Sequence, residues 1–384
     1  MRLLPLLFRN ALRNRLRTAL TIAGIGFLVF VLIFVRTALT EIEAWEGEAA
    51  SHHRVVVQHS TGLATPLPIR LENYLRGEEI SRHASVVQKL NWVGCYWQDR
   101  KNQFANFAAD RDTLVALWDE LTFDPESLRK LSETKTGTVV GERLMKQFGW
   151  KVGQRIALTG TFYPVNPVLE ILGTFRGRNV RQEMQLFFRW DYFDELMGGR
   201  KIVGTYWLKA RGAEDVPKLK ELIDAHTRNS SDPTETLTEK EFAVQFIEMM
   251  GNVRGIVWVV SAVVIVIMIL MTANTMAMSA RERVTEVAVM RTLGFSDGTV
   301  FFLVTAESVL VSVLATAVPF GLSFVAFNLL GWSPSPLYFP IFLPLASTYG
   351  LSLGVAVLCG VASAFVPALG AAKRPIVDGL RQVV

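Results

Sequence analysis

At 384 residues, half of them apolar and only 20% charged, with a mean hydropathy of +0.29, the chain is too greasy for an ordinary soluble domain. Its 40 Lys and Arg exceed its 35 Asp and Glu by five, but a basic excess confined to short flanks is not the footprint of a nucleic-acid binder. Collagen, low-complexity disorder and a disulfide scaffold are excluded as well, since the two cysteines, Cys95 and Cys359, lie far apart in different kinds of segment.

Residues 1–18 form a basic amphipathic segment in which Arg2, Arg9, Arg13, Arg15 and Arg17 have no acid among them. Between Arg17 and Arg36 come eighteen uncharged residues, which at about 1.5 Å of rise each cover most of a roughly 30 Å hydrocarbon core. The run exceeds a signal peptide's apolar stretch and no A-x-A site precedes Glu41, Glu43, Glu46 and Glu48, so an uncleaved first span is expected over 19–39. Arg36, at its outer end, is expected to reach the headgroups.

Residues 40–250 carry 27 Lys and Arg against 30 Asp and Glu, so the whole basic excess belongs to the membrane part. A segment of that length can bury a core of its own. Its patterning is mixed α and β. Strands are expected at 54–58, 86–96 and 103–108 (the last two around the turn DRKN) and at 155–158 and 168–174 around GTFYPVNP. Helices are expected at 70–75, 138–148, 215–228 and 239–250, the last running without a break into the second span. His52, His53, His59 and His83 lack ligand spacing and read as solvated, with no metal site.

From Gly255 to Ala280 there is no charge, which places a second span at 251–278. A short charged loop at 279–299 comes next. After Asp297 the only charge before Lys373 is Glu307, and Pro334, Pro336, Pro340 and Pro344 forbid one continuous helix. Spans are therefore expected at 300–330 and 345–369, joined by a loop at 331–344 and followed by a tail at 370–384. Basic residues flank both termini, Lys373, Arg374 and Arg381 at the far end, so both are expected to face the cytoplasm, with 40–250 outside and 279–299 inside. The expected fold is thus four transmembrane helices with a large extracytoplasmic α/β domain inserted between helices 1 and 2.

Within 281–294 the run Val287, Ala288, Val289, Met290 is apolar around the full helical circumference, which asks for burial on several sides. The available cover would be a groove in a partner protein, with Glu286 and Arg291 pairing with it or with each other. Gly294 supplies a left-handed stop, and Ser296 with Asp297 caps the start of the next span. A plain basic loop on the inner side is the other reading of these residues. Glu307 lies about ten residues into its segment, where a carboxylate costs a few kcal/mol unless partnered; it is expected to snorkel or to pair with Arg281 or Arg283, or else to transmit a partner's state. Gly350-Leu351-Ser352-Leu353-Gly354 spells G-x-S-x-G, but inside a span it reads as close helix packing rather than a hydrolase elbow.

Three stretches resemble the MacB/LolC/FtsX superfamily of ABC transporter permeases. They are FRNALRNRLRTALTIAGI at 8–25, NTMAMSARERVTEVAVMRTLGFSDGTVFFLVTAES at 274–308 and FVPALGAAKRPIVDGLR at 365–381. The middle one carries R-x-x-E-[IV]-[AG]-[IV]-x-[RK]-x-x-G after an Asn at the span end and before a Glu early in the next. Within the outer segment, 137–158 is also similar to the extracytoplasmic domain common in that superfamily. The resemblance implies a non-catalytic permease subunit in a bacterial inner membrane, working by mechanotransmission: ATP hydrolysis elsewhere moves the outer domain, which exports or extracts a lipid, lipoprotein, hydrophobic compound or peptide. It implies an ATPase-docking coupling helix made of Arg281, Arg283, Glu286, Val287, Ala288, Val289, Met290, Arg291 and Gly294, with coupling or interfacial roles for Asn274, Glu307, Pro367, Pro375 and Arg381. No G-x-x-x-x-G-K-[ST] occurs, so ATP and Mg belong to a separate ATPase, expected in two copies, and no cofactor is expected in this chain. The other partners implied are a second permease copy or a paralogue, a membrane-fusion or outer-membrane protein, and the bilayer. An FtsX-like signalling protein that activates an outside partner without transport is the alternative.

Overall fold

The computed structural model describes residues 15–49, 52–249, 251–334, 339 and 341–373. The chain divides into two compact units, Met1–Glu41 with Asn252–Trp332 and Phe342–Val384, and Ile42–Gly251 with Ser333–Ile341.

In chain order the elements begin with α1 (Arg15–Ala49), β1 (Arg54–His59), β2 (Leu67–Pro68), α2 (Leu71–Leu75), α3 (Glu78–Ser81), β3 (Ala84–Trp92), β4 (Ala105–Ala109) and α4 (Leu114–Leu117). They continue with β5 (Thr122–Phe123), α5 (Pro125–Glu133), β6 (Gly137–Gly141), α6 (Glu142–Phe148), β7 (Arg155–Ala157), β8 (Val168–Arg176), β9 (Gln185–Arg189), α7 (Trp190–Leu196), β10 (Ile202–Val203) and β11 (Thr205–Ala210). Then come α8 (Asp215–Thr227), β12 (Thr234–Thr238), α9 (Glu239–Met249), α10 (Val253–Glu282), α11 (Val284–Thr292), α12 (Asp297–Ser323) and α13 (Ala346–Ala372). A π-helical turn, Phe324–Leu329, extends α12.

The second unit is one ten-stranded mixed sheet in the order β12-β1-β11-β3-β4-β9-β6-β8-β5, with β7 beside β8; β2 and β10 form a separate ribbon. Only β4 with β9 and β6 with β8 run parallel. Successive side chains point to opposite faces, so Val55 and Val57 enter one core while Val56 enters the other, and Phe187 opposes Leu186 and Phe188 in the same way. Burial on both faces explains the unbroken apolar runs of the central strands. A row of aromatic contacts crosses this unit: Phe162 to Trp92 (ring centroids 4.7 Å), Trp92 to Phe246 (5.2 Å), and Phe246 to Trp45 (5.6 Å).

Four helices are long and apolar enough to span a membrane: Leu16–Ala49, Val253–Glu282, Asp297–Leu329 and Ala346–Ala372, and the mixed α/β unit lies between the first two. Three local expectations are corrected. Residues 138–148 are not one helix: 137–141 is strand β6, because Val139 and Val140 face opposite cores and both are fully buried, and α6 begins only at Glu142. Nor does α9 run into α10. Gly251 takes φ +103°, a conformation that no helix continues through, and Asn252 starts α10 afresh by accepting a hydrogen bond from the Gly255 N–H. The G-x-S-x-G glycines are not packing points either: Gly350 and Gly354 face open space, whereas a Cβ on Gly360 would sit 2.8 Å from Ser312 Oγ and 3.2 Å from Val309 Cα. That close approach joins α12 to α13, and Ser308 Oγ seals it by donating to the Gly360 carbonyl at 2.8 Å.

Candidate functional site

The candidate site is built where α10, α11, α12 and α13 meet. Arg283 ends α10 and precedes α11 with a bent backbone (φ −111°, ψ 18°), so the two helices are distinct. At the other end Gly294 adopts φ +93°; its N–H donates to the Arg291 carbonyl and that of Phe295 to the Met290 carbonyl, so the last turn is closed from inside. Ser296 then caps α12 by accepting from the Thr299 N–H, and Arg291 reaches Asp297 at 2.8 Å across the corner. α11 is thus bounded at both ends by local chemistry, while Arg281, expected within this helix, belongs to the last turn of α10.

One side of α11 is already covered. Val284, Val287 and Ala288 are buried, and Val287 packs with Val300, Ala371 and Ala372. Part of the burial on several sides that this run asks for is therefore supplied within the chain, by α12 and α13. What remains outside is a stripe: Glu286 is exposed, and Val289, Leu293 and Phe295 keep 45%, 74% and 44% of their surface. Residues 286, 289 and 293 follow the three-and-four spacing of one helix face.

Beneath α11 lies the ion pair that anchors it. Glu307 is buried in α12 and accepts two hydrogen bonds from Arg283, Nη1 to Oε2 at 2.5 Å and Nη2 to Oε1 at 2.9 Å. Of the two basic residues within reach in sequence, geometry selects Arg283; Arg281 is exposed. A planar guanidinium facing a carboxylate in this bidentate way satisfies both charges without water. A cavity of about 150 Å³ adjoins the pair, lined by Met276, Ser279, Met290 and Leu303. Nearby, Arg17 of α1 donates to Glu282 at 2.7 Å, tying the first span to the end of α10. Nothing in the residue pattern announced that tie, because its members are 265 positions apart.

Among the other expected site residues, Asn274 is exposed on α10 and Pro367 lies half-buried within α13. Pro375 and Arg381 fall outside the described residues, as do Arg2, Arg9 and Arg13. The histidines are less solvated than expected: His59 is buried against Thr61, and His83 Nδ1 lies 2.7 Å from Asp215, whose carboxyl that hydrogen bond holds below the usual carboxylate range. No group of three or more His, Cys, Asp or Glu that would hold a metal occurs among the described residues. Both cysteines are free and buried.

The arrangement offers no nucleophile or acid–base pair; it offers a rigid, internally anchored helix with one side outward. Residues 258–376, which contain all of α11 and α12 and all of α13, match the model of the FtsX-like permease C-terminal domain. No protein of curated function matches the chain. Among solved structures it is similar to the extracellular domain of the noncanonical ABC-type transporter YknZ from Gram-positive bacteria, at 7% identity and a TM-score of 0.36 over 48% of this chain and 99% of that one. It is also similar to the periplasmic region of MacB from Actinobacillus actinomycetemcomitans, at 11% identity and a TM-score of 0.35 over 51% of this chain and 92% of that one. The likeness to FtsX-like permeases thus rests on residues 258–376, the stretch that holds α11, α12 and α13.

Proposed function

We propose that this chain is the membrane subunit of an ABC transporter, seated in a bacterial inner membrane with both termini inside, and that a separate ATPase docks on the outward side of α11. The observation that carries this reading is the exposed stripe Glu286, Val289 and Leu293 on a helix whose opposite side is fixed by Val287 and by the Arg283–Glu307 pair. An apolar stripe with a charge at its edge, on a polar side of the membrane, suits a partner groove rather than lipid. Force applied there would enter α12 through Glu307 and α10 through Arg283 without passing through a flexible segment. The chain itself is proposed to be non-catalytic, and the moving outer unit to drive export or extraction of a hydrophobic substrate.

Co-purification tests the docking. Leu293→Asp and Glu286→Lys should each strip the ATPase from the detergent-solubilised complex, since a buried mismatched charge costs about 2 to 5 kcal/mol, while leaving the permease folded. An ATPase that remains bound to both variants would remove α11 from the interface. Uncoupled but intact complexes, with substrate transport absent in the parent as well, would favour the signalling alternative over transport.

A further inference from the structure

Ser279 stands apart among the hydroxyls of α10. Thr272 and Thr275 return theirs to the carbonyls of Met268 and Met271, one turn back, at 2.7 and 3.0 Å, which is how a helix in an apolar medium keeps such groups satisfied. Ser279 is only 4% exposed, yet its hydroxyl makes no hydrogen bond among the described residues. It lines the cavity of about 150 Å³ beneath α11, whose wall belongs wholly to the first unit. A buried hydroxyl left without a partner keeps its full desolvation penalty, so the cavity is where its partner has to come from.

The rest of the wall sets what can complete it. Met276, Met290 and Leu303 present thioethers and branched carbon, and methionine sulfur meets aromatic rings favourably while adapting to their shape. Of the charged groups at the wall, Arg283 and Glu307 bond to each other twice and Glu286 is exposed. A charged guest would therefore bring a new charge into an apolar space, at a cost that a neutral one avoids. An apolar cavity of this volume takes up a molecule the size of benzene. We propose that the cavity is a binding site for a small neutral amphiphile, a ring or branched chain of that size carrying one hydroxyl that bonds to Ser279. A mostly apolar wall with one placed polar group is the usual build of such a site. The guest touches α10, α11 and α12 together and stiffens the seat of α11. Its binding needs no docked ATPase, so the site stands or falls separately from the docking proposed on the other side of that helix.

Fluorine NMR on the full-length, detergent-solubilised protein tests it with two probes that differ by one hydroxyl, para-fluorobenzyl alcohol and para-fluorotoluene. Both enter the micelle equally in every sample, so the readout is the saturable part of the binding. Ser279→Leu fills the cavity and should abolish saturable binding of both probes. Ser279→Ala keeps the space and removes the hydroxyl. The alcohol should then bind about two- to tenfold less tightly than to the parent, the worth of one hydrogen bond, while the toluene is unaffected. Equal saturable binding of the alcohol to the parent and to Ser279→Leu, or none to either, would overturn the proposal and leave the cavity to water. Should Ser279→Leu fail to fold, the alanine comparison decides alone: an alcohol that loses nothing relative to the toluene removes Ser279, and the site built on it.

Discussion

The two units differ in which side chains fill their interiors beside the apolar core. In the α/β unit the largest fully buried side chains include Arg54, Tyr206, Phe104, Phe175, Phe187 and Phe188, and most other charged residues line its surface. In the membrane unit the interior holds Thr272, Ser308, Ser312, Ser352 and Ser363, while Trp258, Leu270, Leu322, Leu358 and Val366 face outward. Water expels apolar surface from one unit; lipid makes no such distinction, so in the other the interior is chosen by close approach and by hydrogen bonds that need partners. Buried serines accordingly recur between the spans, whereas in the α/β unit Ser127 is buried and the other described serines lie at the surface.

The comparison is broken most directly at its two extremes. Phe187→Ala should cost the α/β unit about 3 to 5 kcal/mol, as large-to-small changes at fully packed aromatic sites do. It should appear as proteolytic sensitivity of residues 52–249 with membrane insertion unchanged. Glu307→Ala should cost a similar 3 to 5 kcal/mol in the membrane unit, because it removes the buried carboxylate to which Arg283 donates twice. There the double change Arg283→Met with Glu307→Leu should recover much of the loss in thermal stability of the solubilised protein, and failure to recover would mean that the pair is more than a neutralised burden.

Smaller effects sharpen the contrast. Gly360→Val should cost about 1 to 3 kcal/mol by overpacking against Ser312 and Val309, whereas Gly354→Val, facing open space, should be silent by the same thermal assay. Ser308→Ala removes a hydrogen bond inside the membrane and should cost only about 0.6 kcal/mol. Last, burial pushes the Cys95 thiol up to about 12. The reactive thiolate is therefore scarce at pH 8, and Cys95 should stay unlabelled by a soluble thiol reagent until the α/β unit unfolds. Fast labelling of the native protein would show that this core opens to water.

The spanning helices were legible because few structures besides a membrane span call for a charge-free run of this length, and the mixed α/β character of 40–250 emerged from period and turn residues. Legibility failed where one local pattern serves two structures. Val139 and Val140 suit helix and strand alike, and it is the neighbouring strands β8 and β9, from thirty to fifty residues on, that decide. At the site, the boundaries of α11 were readable from Gly294 and Ser296. Its cover was not, since Ala371 and Ala372 come from the far end of the chain. The serine seam of α12 left a usable signal in Ser308, Ser312 and Thr316 at four-residue spacing, and Ser352, Gly360 and Ser363 answer it from α13. Which faces pack in a span is told by such polar minorities and not by the apolar majority.

The aromatic contact between Trp45 and Phe246 has a consequence for engineering. These residues lie at the start and the end of the α/β unit, yet their rings are 5.6 Å apart. A domain whose two ends meet imposes no stretch on the chain that carries it and is the kind of module that tolerates transplantation. Residues 42–251 should therefore be replaceable by a short turn without pulling the first two spans out of their sequence order. The excised piece should also accept a covalent loop between its ends, which would make a circularised form the practical route to studying this unit apart from the spans.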